Sequence, residues 1–525
     1  MSDKKIKIVV ILFSFIILAS LFVVHIYEAK ITPFFQGPDE ITHVANSFYG
    51  FNNVFGNKVK CGEVSQGMLG TAKALSKLPG KHYNRIILDD IKKLKNINTQ
   101  EIRSLVDLDK IYIGSAACGY LNVVNKYFYN MLTIPKYLIN GSITTFDYLY
   151  LLRIGAVLFA FIIYILSLFV IIKGDFVLKK LVNIDTDVLR ICFLLSFFMY
   201  ISMPQNIFML SVTNQEAYLI PLGVFVFISF FFRIRILTEF LVLTSLYALW
   251  FKPVYLPYAL LLVLFYVAYY LRSKINLYKS MTFISISVFL GVILAPFILR
   301  LVYFKTGLKL LNEKMFFMNN LGHYYAHIGK NFSDFLNQRL LDVGSFFGTF
   351  GWLDTPLPRG ASWSYKAVFL ALLIVLGINL YKYRLEIKEK ILRFFKDNQY
   401  KRIIVLFLII TTIPMLTSFI IYMIYEVVYI WCLGVFGSSF WSCGIQGRYF
   451  LPVYFYTFVF PFIAAFWIPM IFTGRGCRLT KILLLSVSCL LLIAMILNVD
   501  LSIKALSSRY YESKDVMALY LSLII

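Results

Sequence analysis

The chain has 525 residues, of which 60% are hydrophobic, 18% aromatic and only 15% charged, with a mean hydropathy of +0.76. Soluble domains carry about 25% charged residues, so a soluble enzyme is excluded, and apolar runs recurring from end to end exclude a single-span receptor. The formal charge of +24 would suggest nucleic acid in a soluble protein. In a membrane protein it is first a matter of topology, because Lys and Arg hold cytoplasmic loops in place, and no nucleic-acid partner is expected.

A transmembrane helix needs about 20 mostly apolar residues. In chain order, such runs lie near 8–27, 149–172, 190–210, 217–232, 236–250, 256–271, 280–303, 364–381, 403–425, 449–472 and 482–499. The expected fold is therefore an all-α polytopic membrane protein, a bundle of about 11 transmembrane helices with long extracytoplasmic loops. Lys4, Lys5 and Lys7 precede the first run, which is long and lacks a small-residue cleavage site. It reads as a helix with a cytoplasmic N-terminus rather than as a signal peptide. Alternating sides from there places 23 Lys and Arg on the cytoplasmic side, among them Lys173, Arg190, Arg233 and Arg235. The short loops expected outside, 204–216, 251–255 and 426–448, hold only Lys252 and Arg448. This asymmetry predicts a multi-pass protein of the cytoplasmic membrane with its C-terminus outside. Contact with anionic lipid is a secondary use of the charge.

The resulting divisions are 1–27, the cytoplasmic start and first helix; 28–148, a first extracytoplasmic loop; and 149–303, helices two to seven. A second extracytoplasmic loop covers 304–363, helices eight to eleven cover 364–499, and 500–525 is an extracytoplasmic tail. The first loop is too long for a connector, and its apolar stretch 127–139 predicts a helix lying on the membrane surface. Cys61, Cys118, Cys432 and Cys443 fall outside the membrane on this topology. Their even number allows the pairs Cys61–Cys118 and Cys432–Cys443, or four free thiols.

No phosphate-binding loop of the G-x-x-x-x-G-K-[ST] type occurs, and no cytoplasmic segment is large enough to bind ATP, which argues against an ATP-driven pump. No His/Cys cluster has zinc spacing, and His323 and His327 at i and i+4 lack an acidic third ligand. The strongest local signal is Gly37-Pro38-Asp39-Glu40-Ile41-Thr42-His43, just after the first span. Proline in the first turn with two acids behind it predicts a helix start, and His43 shares a face with Asp39 and Glu40. A dipole-stabilised carboxylate there suits a base that accepts a proton from an incoming hydroxyl. The plainer reading is an acidic turn that only caps its helix. Further polar groups follow on the same side: Asn214 and Glu216 after span three, Lys252 between two short spans, Trp352 and Asp354 in Gly351-Trp-Leu-Asp354, and Gln446 in Gln446-Gly-Arg448-Tyr449. Lys252 and Arg448 suit a phosphate, one as a point charge and the other as a fork, or serve as snorkelling anchors.

Together, Pro38-Asp39-Glu40-x-x-His43, Gly351-Trp-Leu-Asp354 and Gln446-Gly-Arg448-Tyr-x-x-Pro452 resemble a bacterial family of polytopic membrane proteins labelled as a domain of unknown function. That family is similar to the GT-C superfamily of integral-membrane glycosyltransferases. One departure is that Asn214-Gln215-Glu216 stands where an Asp is expected. The resemblance implies a GT-C-like arrangement and transfer from a polyprenyl-phosphate sugar to a surface glycan such as O-antigen or a wall polymer. Asp39 would be the catalytic base, with Glu40 orienting or assisting and His43 supporting the acids. Lys252 and Arg448 would hold the donor phosphate, and Asn214, Glu216, Trp352, Asp354 and Gln446 would line the substrate site. No cofactor is implied, and a divalent metal beside Asp39, Glu40 and His43 is the less favoured view. Expected partners are the lipid-linked donor, the glycan acceptor, membrane lipid, a flippase and a polyprenyl-phosphate glycosyltransferase. The competing readings are a lipid-linked oligosaccharide flippase or other secondary transporter, an O-antigen polymerase or ligase, and a non-catalytic assembly factor.

Overall fold

A computed structural model describes residues 3–34, 40, 43–44, 71, 85–98, 145–176, 186–250, 349–350, 355–356, 359–386, 388–389, 451–452, 455–467 and 478–524. Its elements in chain order are α1 (Asp3–Ile31), α2 (Leu88–Asn98), α3 (Thr145–Lys173), β1 (Asp175–Phe176), α4 (Thr186–Ile201), α5 (Pro204–Ser211) and α6 (Glu216–Phe231). They continue with β2 (Phe232–Arg233), α7 (Arg235–Trp250), β3 (Thr349–Phe350), β4 (Thr355–Pro356), α8 (Arg359–Lys382), α9 (Phe455–Phe462), a π-helical turn (Ile463–Trp467), α10 (Arg478–Tyr510) and α11 (Lys514–Leu521). Among the described residues the architecture is all-α apart from two-residue strand pairs.

Among the described residues, four helical stretches are long and apolar enough to cross a membrane: Val10–Ile31, Phe146–Lys173, Trp363–Lys382 and Ile482–Tyr510. On α3, before Lys173 at its end, the exposed side chains are Leu158, Ile162, Ile165 and Phe169, spaced by three and four residues. That stripe is apolar, so lipid rather than water is the solvent it fits. Helices α5 and α6 carry no comparable exposed stripe and are apolar and buried nearly all round, which marks them as the centre of the bundle.

Helices α3 and α6 run parallel, with Phe159 on Tyr218 and the segments just beyond their ends paired as β1 and β2, while two other pairs run antiparallel. Phe161 of α3 meets His25 of α1 with ring centroids 5.0 Å apart, while Phe34 beyond the end of α1 meets Phe146 at the start of α3, so the two run antiparallel. Tyr200 late in α4 packs on Phe455, and Ser196 and Cys192 donate to the carbonyls of Phe458 and Phe462, so α9 runs back along α4. Asn379 of α8 donates to the carbonyl of Ala465 at 2.9 Å. Pro461 and the π turn open the helical ladder here, and these side chains supply the donors that the backbone no longer provides.

The span expected at 190–210 is corrected by the structure: α4 and α5 are bent 59° apart at Ser202–Met203. Pro204 has no N–H to continue the ladder, and Ser202 donates back to the Phe198 carbonyl while contacting the Tyr365 hydroxyl at 2.9 Å. The last helix outruns its expected end at 499, continuing to Tyr510, and α11 follows it and packs against α1 and α2, so 500–524 is folded structure rather than a tail. The spans expected at 256–271, 280–303 and 403–425, and the surface helix at 127–139, lie outside the described residues.

Lys173, Arg190 and Arg233, all expected on one side, do gather at one end of the bundle. There Asp175–Phe176 pairs antiparallel with Phe232–Arg233, Arg190 donates to the carbonyls of Ile171 and Gly174, and Arg233 pairs with Glu239.

Candidate functional site

At the opposite end, the site is organised by a residue from the second span. Arg153 interrupts an otherwise apolar helix and is 0% exposed. A guanidinium taken out of water needs every donor satisfied and a counter-ion, and here it has both. Its Nε and Nη2 donate to Oε1 and Oε2 of Glu40 at 2.7 and 2.8 Å. Nη1 donates to the carbonyls of Ala29 and Thr32, and Nη2 to that of Pro33 at 2.9 Å. Five N–H groups thus make five hydrogen bonds. The carbonyls concerned lie at the frayed end of α1, where helical acceptors lack partners and a cation is favoured. The Phe34 ring covers the guanidinium at 4.8 Å, a cation–π contact.

Glu40 is 2% exposed. Besides Arg153, its Oε1 accepts the backbone N–H of Thr213 at 2.9 Å. One carboxylate therefore joins the end of α1, the first turns of α3 and the connection between α5 and α6. That environment engages both carboxylate oxygens, which suits an anchor more than a proton acceptor.

The 212–216 connection is shaped by its own side chains. Asn214 donates to the carbonyls of Met209 and Val212 at 2.8 and 3.2 Å and accepts the N–H of Ala217 at 2.8 Å. It thereby satisfies one of the orphan donors at the start of α6. Glu216, 4% exposed, occupies the first turn of α6, where the helix dipole favours an anion.

The flanks of the other two motifs come to the same region. Strands β3 and β4 pair as Thr349↔Pro356 and Phe350↔Thr355; the Gly351–Asp354 segment between them lies outside the described residues. The strand pair is seated with β3 on α5 and β4 on α10. Leu451 and Pro452, which follow the Gln446–Tyr449 motif, are pinned to α4 and α6. The Tyr200 hydroxyl donates to the Leu451 carbonyl, and Gly223 lets α6 approach Pro452 so closely that a Cβ would lie 2.7 Å from the Pro452 carbonyl carbon.

The C-terminal segment closes the back of this arrangement. Tyr511 donates to the Ile31 carbonyl at 2.8 Å, and the N–H of Phe34 donates to the Tyr520 hydroxyl at 3.2 Å. Burial raises the Tyr520 phenol well above its ordinary range, so it stays a neutral hydroxyl. Ile86 bridges to Tyr511, its N–H donating to the Tyr510 carbonyl at 2.9 Å. This carries α2 onto α11, with Ile91 and Leu94 buried beneath its charged face.

Of the residues expected at the site, Glu40, Asn214 and Glu216 are brought to this end, and His43 is half-buried one turn beyond Glu40. Asp39, Lys252, Trp352, Asp354, Gln446, Arg448, Cys61, Cys118, Cys432 and Cys443 lie outside the described residues. Among the described residues no three His, Cys, Asp or Glu side chains gather as a metal site. Arg153 is the residue sequence reasoning passed over. Its signal was there, since a lone cation inside an apolar run calls for a buried counter-ion. Which acid answers it was not legible, because Glu40 lies 113 positions away.

Residues 21–457 match the model of the DUF2142 family, described as predicted membrane proteins. The chain belongs to this family. The match takes in Glu40, Arg153, Asn214 and Pro452 and ends before α10 and α11. No curated protein and no solved structure matches the chain.

Proposed function

We propose that this membrane protein is a GT-C-like glycosyltransferase working at the outer face of the cytoplasmic membrane, N-terminus inside. It moves a sugar from a polyprenyl-phosphate donor to a surface glycan. The observation that carries the reading is the anchoring of Glu40 at the end of the bundle where the flanks of the Gly351–Asp354 and Gln446–Tyr449 motifs also arrive. Asp39, the neighbour of that anchor, takes the proton from the acceptor hydroxyl. The oxygen then attacks the anomeric carbon on the face opposite the phosphate, the carbon–phosphate oxygen bond breaks, and configuration inverts. Lys252 and Arg448 meet the charge that develops on the leaving lipid phosphate. The donor's bond to phosphate supplies the driving force where nucleotide sugars are absent. Engagement of both Glu40 oxygens by Arg153 and Thr213 makes Glu40 a poor metal ligand and favours a reading without one.

The test is transfer from a panel of radiolabelled polyprenyl-phosphate hexoses and pentoses in isolated membranes, comparing the natural chain with Asp39→Asn. Loss of about 10²- to 10⁴-fold in turnover is expected for removal of a general base; equal transfer by both proteins removes Asp39 from that role. A second reading, a lipid-linked oligosaccharide transporter, draws support from the break between α4 and α5, since transporters build substrate sites on interrupted helices. Movement of the labelled lipid across vesicles with no transfer to glycan would favour it.

A further inference from the structure

A fully buried arginine in a lipid-crossing helix is costly, and two roles compete to explain it: direct contact with a lipid phosphate, or the setting of another group. All five N–H groups of Arg153 are engaged within the protein, two by Glu40 and three by the carbonyls of Ala29, Thr32 and Pro33. None is left for a phosphate. We infer that Arg153 is a positioning residue that sets the acidic turn by clamping Glu40 to the end of α1 and the start of α3. The inference rests on the reading of Asp39 as the base. Asp39 adjoins Glu40, and consecutive Cα atoms across a trans peptide are about 3.8 Å apart. A fixed Glu40 therefore limits how far its chain neighbour can move from the Arg153–Glu40 pair. The division of labour within the Asp-Glu pair follows: one acid is neutralised and held, and the other carries the reaction.

The geometry also states what cannot replace arginine. Lysine keeps the charge but presents a single ammonium with three donors. It cannot reach both carboxylate oxygens and three carbonyls in one plane. A role in charge alone would survive Arg153→Lys, whereas a positioning role would not.

The experiment compares Arg153→Lys and the paired apolar variant E40M/R153M with the natural chain, each purified at full length. Three quantities are measured: the unfolding midpoint in detergent, kcat and KM for transfer from the labelled donor panel, and thiol modification at position 39. The last uses Asp39→Cys, with the native cysteines replaced by serine, and a membrane-impermeant maleimide. Arg153→Lys is expected to lower kcat by about 100-fold, the scale of a 1 Å misplacement, with KM little changed. It is also expected to raise the labelling rate of the position-39 thiol severalfold. The apolar pair removes both charges together, so its midpoint should recover toward that of the natural chain while kcat stays low. Transfer by E40M/R153M at the natural rate would reduce the pair to a structural clamp. Labelling that is unchanged by Arg153→Lys would overturn positioning directly. If the natural chain transfers no sugar from any donor, the glycosyltransferase reading fails, and the labelling comparison still decides whether Arg153 places residue 39.

Discussion

Gly223→Ala isolates how Leu451 and Pro452, just after the Gln446–Tyr449 motif, are held. In α6, a Cβ at position 223 would lie 2.7 Å from the Pro452 carbonyl carbon, 3.1 Å from its Cα and nearer still to its oxygen. Ordinary contact begins at 3.4 Å, so the carbon alone demands a separation of about 0.7 Å, and the oxygen demands more. The obstacle is backbone on both sides, so no side chain can rotate away. Overpacking of this kind costs about 1–3 kcal/mol. Moving residues 451–452 also strains the hydrogen bond from the Tyr200 hydroxyl to Leu451, adding about 0.5–1.5 kcal/mol. The expected loss is therefore about 1.5–4.5 kcal/mol, and on the proposed role of Arg448, four residues before Pro452, transfer should fall as well. The control is Gly377→Ala in α8, where a Cβ meets nothing within 4 Å. There the change should stabilise by about 0.5–1 kcal/mol, through helix propensity alone. Both variants are to be unfolded by SDS titration in mixed micelles, followed by tryptophan fluorescence. If Gly223→Ala behaves like Gly377→Ala, the close approach of α6 to Pro452 is wrong.

Two further outcomes follow from the same geometry. Asn214→Ala removes the acceptor for the Ala217 N–H and the donor to two carbonyls, so the same titration should show a loss of about 2–4 kcal/mol; Asn214→Asp, which sets a buried carboxylate oxygen against those two carbonyls, should lose at least as much. Deleting residues 511–525 removes the contacts of Tyr511 and Tyr520 with Ile31 and Phe34 and the support beneath α2. Trypsin should then cut at Lys92, Lys93 and Lys95 faster than in the full chain, and an unchanged digestion pattern would show that α2 does not depend on that support.

What could be read in advance was whatever is local. The apolar runs mark α1, α3, α8 and α10 because lipid selects each helix one residue at a time, by length and composition. The basic clusters at Lys173, Arg190 and Arg233 declared a common end for the same reason. Asp39 and Glu40 stood out because two acids after Gly-Pro are unusual beside an apolar span, yet nothing nearby told them apart. The α4–α5 break was missed although Pro204 announced it, because apolar content continues unbroken through the bend.

The charge content that first excluded water as the solvent therefore also named the pieces of a site, and there local reading ends. Only the tertiary structure decided that Arg153 pairs with Glu40, that Asn214 builds a turn, and that the C-terminal tyrosines return to the end of α1. The first and last of those choices join residues far apart in the chain, and a buried charge or unpaired carbonyl can be satisfied by any partner the packing brings near. The solvent determines which segments cross the membrane; the desolvation of a few polar groups determines how they meet.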